Sequence, residues 1–369
     1  MPRFHITVRL AVLLGLTFGA AAAAQPAGPT GAATPRAGLD FSGVDEFWKV
    51  VDVLTRNAEP GEAQWHALLV TPGYRLAEIS IGTTMRRDLE VAFMPSRRAE
   101  FDSLTKLGNF RAARLEHLVR AVSHRPQLDS LREFLSRTSP VADALRLAQQ
   151  FLPPGATSVG KPPPVVFAVF GNDAYAQEQG IVVDLLHVLE TSLIPMLAHE
   201  FHHAYLGRQN QALAEEDRHT ADAVLATTLL RMRNEGLADL IDKPYPLMSA
   251  DPVRAEYAQR YNDEYARTPS TLRIVDSLLA VAADDSMQFV AVGQRVRTLL
   301  WSGGHPNGAY IARTIYETFG RDSLFPAVYN PAAFLRTYTA AERKRGNPAP
   351  FSPKAMTVIN ALEERHWKR

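Results

Sequence analysis

His199, Glu200 and His203, within Ile194 to Leu206, are the residues whose types and spacing most clearly permit chemistry. They form the pattern His-Glu-x-x-His. At about 3.6 residues per turn, positions four apart share a helix face, so both imidazoles can aim at one Zn²⁺ ion. Glu200, one step round that helix, can reach a water beside the ion and take its proton. His202 stands about 100° from His203 on the same helix and is expected to point elsewhere.

Two histidines do not complete a catalytic zinc site, which usually takes three protein ligands and keeps one position for water. Glu235 is the candidate third ligand, 32 residues beyond His203 in Asn234-Glu235-Gly236-Leu237-Ala238-Asp239. A glycine inside a helix costs about 1 kcal/mol relative to alanine, so Gly236 calls for a packing or functional reason. The chain has no cysteine. Disulfides, thiol nucleophiles and thiolate zinc sites are thereby excluded, and any metal must be held by His, Asp or Glu.

The pair of motifs, His-Glu-x-x-His on one helix and Asn-Glu-x-x-x-Asp on a following one, resembles the gluzincin metallopeptidases over Val165 to about Ala312. More narrowly, it is similar to bacterial proteins classed only as zinc-dependent peptidases. The resemblance implies one catalytic Zn²⁺ held by His199, His203 and Glu235, with Glu200 as general base. It implies that Asp239 hydrogen-bonds a ligand histidine and fixes its tautomer. It also implies an edge strand beside the metal helix, in Val165 to Ala174, with Asn172 and Ala174 facing a peptide or protein substrate. An ordinary hairpin with turn chemistry at Gly171-Asn172-Asp173 reads equally well. A donor to the developing oxyanion is implied downstream, and His305 and Tyr310, in Gly303-Gly304-His305-Pro306-Asn307-Gly308-Ala309-Tyr310, are the candidates. The alternative there is a loop leading into a helix with Pro306 in its first turn. For the site as a whole, the alternatives are an inactive or structural zinc protein and a zinc hydrolase of another bond.

The elements that must position these residues are mainly helical. Ser42 is expected to cap a first helix with Val44, Phe47, Val51 and Leu54 on one side. Helical periodicity continues to Phe151, broken by Pro60, Pro72, Pro95, Pro126 and Pro140. His66, His117 and His124 lie in this region without partners at metal-binding spacing and are expected to be surface histidines. Pro and Gly density rises over Leu152 to Pro164, and two apolar runs follow, Val165 to Phe170 and Ile181 to Asp184, expected to pair as a hairpin. A long helix from about Arg218 to Ile241 carries Glu235, and further amphipathic segments, among them Val253 to Tyr265 and Leu272 to Val281, complete the chain. The expected fold is mainly α (α+β), with a helical N-terminal region at 41–152 and a zincin-like domain at 153–369 whose small sheet lies beside the metal helix.

Arg3 and Arg9 precede the apolar run Leu10 to Phe18 and the small residues Ala20 to Ala24. This order predicts a signal peptide at 1–24, followed by a flexible linker at 25–40, and hence a periplasmic or extracellular protein. The apolar run is short for the roughly 20 residues of a bilayer span, so no stable membrane span is expected after cleavage. With 40 basic and 39 acidic residues in 369, the formal charge is +1. That balance carries no electrostatic footprint for nucleic acid.

Overall fold

The computed structural model describes residues 39–81, 84–138, 140–156, 161–207, 212–249 and 252–368. The expected signal peptide and nearly all of the linker lie outside them. Among the described residues, no helix is long and apolar enough to cross a membrane.

The chain is mainly helical with one small sheet. Strand β1 (Leu39–Asp40) leads into α1 (Ser42–Leu54), α2 (Glu62–Leu69), α3 (Pro72–Ile81), α4 (Met85–Phe93), α5 (Arg98–Thr105), α6 (Phe110–Ser123), α7 (Arg125–Arg137) and α8 (Pro140–Gln149). The expected face of α1 is buried, at Val44, Phe47, Val51 and Leu54. Its start differs from expectation: Phe41 holds the cap position, and the Ser42 backbone N–H donates to Asp40 Oδ1 at 2.7 Å. Asp40 thus accepts the first N–H of the helix, whereas a capping serine would have accepted from an N–H two or three residues further on.

Strands β2 (Val165–Ala168), β3 (Ala174–Gln177) and β4 (Gly180–Asp184) join β1 in the order β1-β2-β4-β3. The two apolar runs do not form the expected hairpin. β2 and β4 run parallel, with Val165 opposite Ile181, and the hairpin is β3–β4, with Ala174 opposite Val183 and Gln177 opposite Gly180. β2 and β4 are buried throughout, which explains their continuous apolar sequence. β3, on the edge, is partly open and carries the weaker pattern Ala-Tyr-Ala-Gln.

From β4 the chain passes into α9 (Leu185–Glu190), α10 (Leu193–Leu206), α11 (Ala223–Asp242) and α12 (Pro252–Asp284). Two amphipathic segments were expected where α12 runs unbroken through Pro269. Proline at that point removes one backbone hydrogen bond. The buried row Tyr261, Tyr265, Leu272, Val275 and Leu279 continues across it, so packing outweighs that loss. α13 (Phe289–Leu299), α14 (His305–Phe319), α15 (Phe325–Tyr329), α16 (Pro331–Lys344) and α17 (Pro353–Leu362) complete the fold.

Two hydrophobic cores organise these elements. The first joins α1 to α4 and α6 to α8 with the sheet and with Met196, Leu197, Ala198 and Phe201 of α10. The second is built from α11 to α17 and takes in Leu206 at the end of α10. α10 packs on α8 and the sheet on one hand and on α11 on the other, so it lies between the two cores.

Candidate metal centre

α10 is buried on nearly every side, including His199, Glu200, His202 and His203. Imidazoles and a carboxylate are rarely buried without compensation, so their partners decide what they can do. His199 Nε2 and His203 Nε2 lie 3.1 Å apart. Glu235 Oε2, reaching across from α11, is 3.2 Å from His203 Nε2 and 3.7 Å from His199 Nε2. Three donor atoms bonded at about 2.0–2.1 Å to a tetrahedral zinc stand roughly 3.3–3.4 Å from one another, so this triangle fits such an ion. The donor set fits as well, with two imidazoles and one carboxylate offering one atom each. His202 turns away toward Phe151, and burial holds it well below the usual histidine range.

The ring orientations are fixed from behind. His199 Nδ1 lies 2.9 Å from Asp242 Oδ1 but 3.6 Å from Asp239 Oδ1. Asp242 therefore does what the resemblance assigned to Asp239, and in the neutral ring an Nδ1–H donated to it leaves the Nε2 lone pair facing the cluster. Both oxygens of Asp239 lie 3.0 Å from His305 Nδ1 instead. His305 Nε2 then points into the site, 3.3 Å from Glu235 Oε2. Asp239 further accepts from Lys243 Nζ at 2.5 Å and from the Tyr261 hydroxyl at 3.1 Å. Asp239, Asp242 and His199 could by themselves group round a cation, but the Lys243 ammonium, 3.3 Å from Asp242 Oδ2, already sits between the carboxylates.

Glu235, Asp239 and Asp242 fall at i, i+4 and i+7 on one stripe of α11, so the helical period carried a signal for Asp242 that the motif comparison passed over. Gly236 has a packing reason. α11 and α14 touch there, and a Cβ on Gly236 would come within 2.2 Å of the Gly308 backbone. One on Gly308 would meet the Met232 carbonyl oxygen at 2.0 Å. This close crossing brings His305, at the start of α14, over the carboxylate stripe of α11. Gly304, at φ +89°, supplies the left-handed turn that leads into His305.

Tyr310 is not brought to the cluster. Its ring packs against Tyr265 and Tyr338, because five residues along α14 from His305 is a large rotation to another face. Ala174 opens β3, in what was expected to be the connection between two strands, and is buried. Asn172 is committed elsewhere: its Oδ1 accepts from Arg254 Nη2 at 2.7 Å and lies 3.0 Å from His187 Nδ1. His117 is not a surface residue; its Nε2 lies 2.9 Å from the buried Asp184.

The electrostatics follow from these neighbours. Burial pushes the Glu200 carboxyl up to about 8, with the carboxylates Asp173, Glu235 and Asp242 acting in the same direction and His199 against it. For Glu235, burial is outweighed by His305 and His203, which hold it well below the carboxylate range. Burial also opposes a charge on His199, but the Asp242 carboxylate overcomes it and raises the imidazole well above its ordinary value. His203 is lowered, chiefly by burial. The site is thus a buried pocket of carboxylates and imidazoles that favours positive charge at its centre.

Residues 65–346 match the model of the family described as "Putative zinc dependent peptidase (DUF5700)". The chain belongs to this family. All three atoms of the triangle, Glu200 and His305 lie inside the matched region of this DUF5700 protein. No curated protein and no solved structure matches the chain.

Proposed function

We propose that this DUF5700 protein is a metallopeptidase of gluzincin type, exported by its N-terminal segment, that hydrolyses peptide bonds with Glu200 as general base. The observation that carries the reading is the convergence of His199 Nε2, His203 Nε2 and Glu235 Oε2 beside the buried Glu200. A structural metal site has no use for that unligated acid. Bound by these three residues, Zn²⁺ supplies a Lewis acid that acidifies water and polarises a carbonyl.

The other steps belong to the chain. Glu200 takes the proton of the attacking water on its carboxylate and returns it to the leaving amine, a task suited to a carboxyl whose proton affinity burial has raised. His305, its Nδ1–H given to Asp239, donates from Nε2 to the carbonyl oxygen in its imidazolium form, with both ring nitrogens protonated, as negative charge develops there. β3 offers an edge along which an extended peptide can pair.

Casein and a peptide library, with and without chelator, test the reading, with metal content measured alongside. Glu200→Gln is expected to keep its metal and lose hydrolysis by a factor of about 10² to 10⁴, whereas Glu235→Ala loses both. Undiminished turnover by the Glu200→Gln protein on a substrate that the parent cleaves would overturn the mechanism.

A further inference from the structure

The loop between β2 and β3 is held more firmly than a turn requires. Asp184 Oδ2 accepts the Phe170 and Gly171 backbone N–H groups at 2.7 and 3.0 Å. Asn172 is tied to Arg254 of α12, whose Nε also binds Glu190 of α9 at 3.1 Å. The Asp173 carbonyl accepts from the Asp184 N–H at 3.1 Å. Each residue from Phe170 to Asp173 is therefore anchored, and the Asp173 side chain leaves a fixed backbone at the start of the edge strand.

That side chain is open to solvent, yet the protein around it raises its pKa by desolvation. The hydrogen-bond partners of its carboxylate are the Ala174 N–H, 2.9 Å from Oδ1, and the Tyr175 side chain, both neutral. Tyr175 lies on β3, which packs against α10, the helix that carries Glu200. Asp239 and Asp242 share the Lys243 ammonium, and Glu235 has the Arg231 guanidinium 3.7 Å away. The charges of Lys243 and His305 reach Asp173 from a distance, but among the described residues no cation forms an ion pair with it. It retains lone pairs for a donor that comes with the substrate.

We propose that Asp173 is a specificity-determining residue that binds an ammonium group of the substrate close to the scissile bond. This rests on the peptidase reading and deepens it. A peptide lying along β3 meets Asp173 where that strand begins, and an ammonium there makes a charge-assisted hydrogen bond on a pre-positioned carboxylate. The ammonium is either the free N-terminus of the peptide, in which case the enzyme removes residues from that end, or a lysine side chain.

Binding to the zinc-loaded Glu200→Gln protein, which holds peptides uncut, separates these sources. Three fluorescent peptides of one sequence are compared by anisotropy: one with a free N-terminus, one N-acetylated, and one N-acetylated with an added lysine. The free-amine peptide or the lysine peptide is expected to bind about ten- to a hundredfold more tightly than the acetylated one, and whichever does so identifies the source. Adding Asp173→Asn is expected to bring that ratio close to one. Asparagine keeps the Oδ1 acceptor for Ala174 N–H and leaves the backbone bond to Asp184 intact, so the loop persists. A zinc-loaded protein that binds the three peptides alike, or a ratio that survives Asp173→Asn, overturns the assignment and leaves the peptidase reading standing. A protein that binds no zinc overturns the peptidase reading and this inference with it.

Discussion

At the end of β4, Asp184 is fully buried with a histidine partner; at the end of α11, Asp239 and Asp242 are buried or nearly so and also face histidines. The same residue types serve different ends. Asp184 meets His117 Nε2, the His187 N–H and the Phe170 and Gly171 N–H groups, so its lone pairs are saturated, largely by backbone. It holds chain segments together. Asp239 and Asp242 instead hold the outer nitrogens of His305 and His199, whose inner nitrogens remain directed at Glu235 and at the centre of the triangle. What separates them is where the partner imidazole's other nitrogen points: those of His305 and His199 face the triangle and leave a ligand or donor atom for chemistry, whereas Asp184 is filled largely by backbone and stabilises the fold.

The largest expected effect breaks the first member of this comparison. Asp184→Ala strands several buried donors at once and should cost about 3–5 kcal/mol of stability, measured by urea unfolding. A loss under about 1 kcal/mol would show that the backbone groups find other partners. The next effect appears in acid. The charge of His117 and hydrogen bonds from His117, Gly171 and Phe170 outweigh burial and lower the Asp184 carboxyl from 3.8 to about 2. A depressed carboxylate stabilises the fold fully above its unfolded pKa and loses that contribution as the pH falls through the folded one. Stability should thus fall by on the order of 2–3 kcal/mol between about pH 4 and 2 on this account, and Asp184→Asn should flatten that part of the profile. An unchanged acid slope in the variant would assign the loss to other groups.

The second member gives the smallest effect and the sharpest contrast. Asp242→Asn should weaken zinc binding by about ten- to a hundredfold, equal to roughly 1.4–2.7 kcal/mol, with little change in the unfolding midpoint of the metal-free protein. Competition with a chromophoric chelator reads the first quantity and thermal unfolding the second. Equal losses in both would make Asp242 a structural anchor like Asp184 and erase the distinction.

Much of the centre was legible because helices impose a local rule. His199 and His203 share a face through their spacing alone, and the stripe that carries Glu235 and Asp239 reaches Asp242 by the same period. The loop before α14 was harder to read. Its glycines mark a tight approach, but only the contact of Gly236 with Gly308 decides that His305 faces the carboxylate stripe of α11 while Tyr310 turns into an aromatic cluster. The sheet was misread for a related reason. β2 and β4 announce themselves by apolar, β-branched residues, yet which strand pairs with which depends on an edge strand of weak pattern lying between them in sequence.

By itself, the sequence determined a mainly helical protein with a small sheet, a histidine pair able to share a metal, and a glutamate spaced to join them. The helical character and the histidine pair follow from composition and from a period of a few residues, which backbone geometry enforces locally, whereas Glu235, 32 residues past His203, was implied by the resemblance to gluzincins. Tertiary structure alone decided the division of labour among Asp239, Asp242 and Asp184, the capture of Asn172 by Arg254, and the burial of His117. Those depend on side chains from elements far apart in sequence meeting at one point, and no local period records where packing will bring them together.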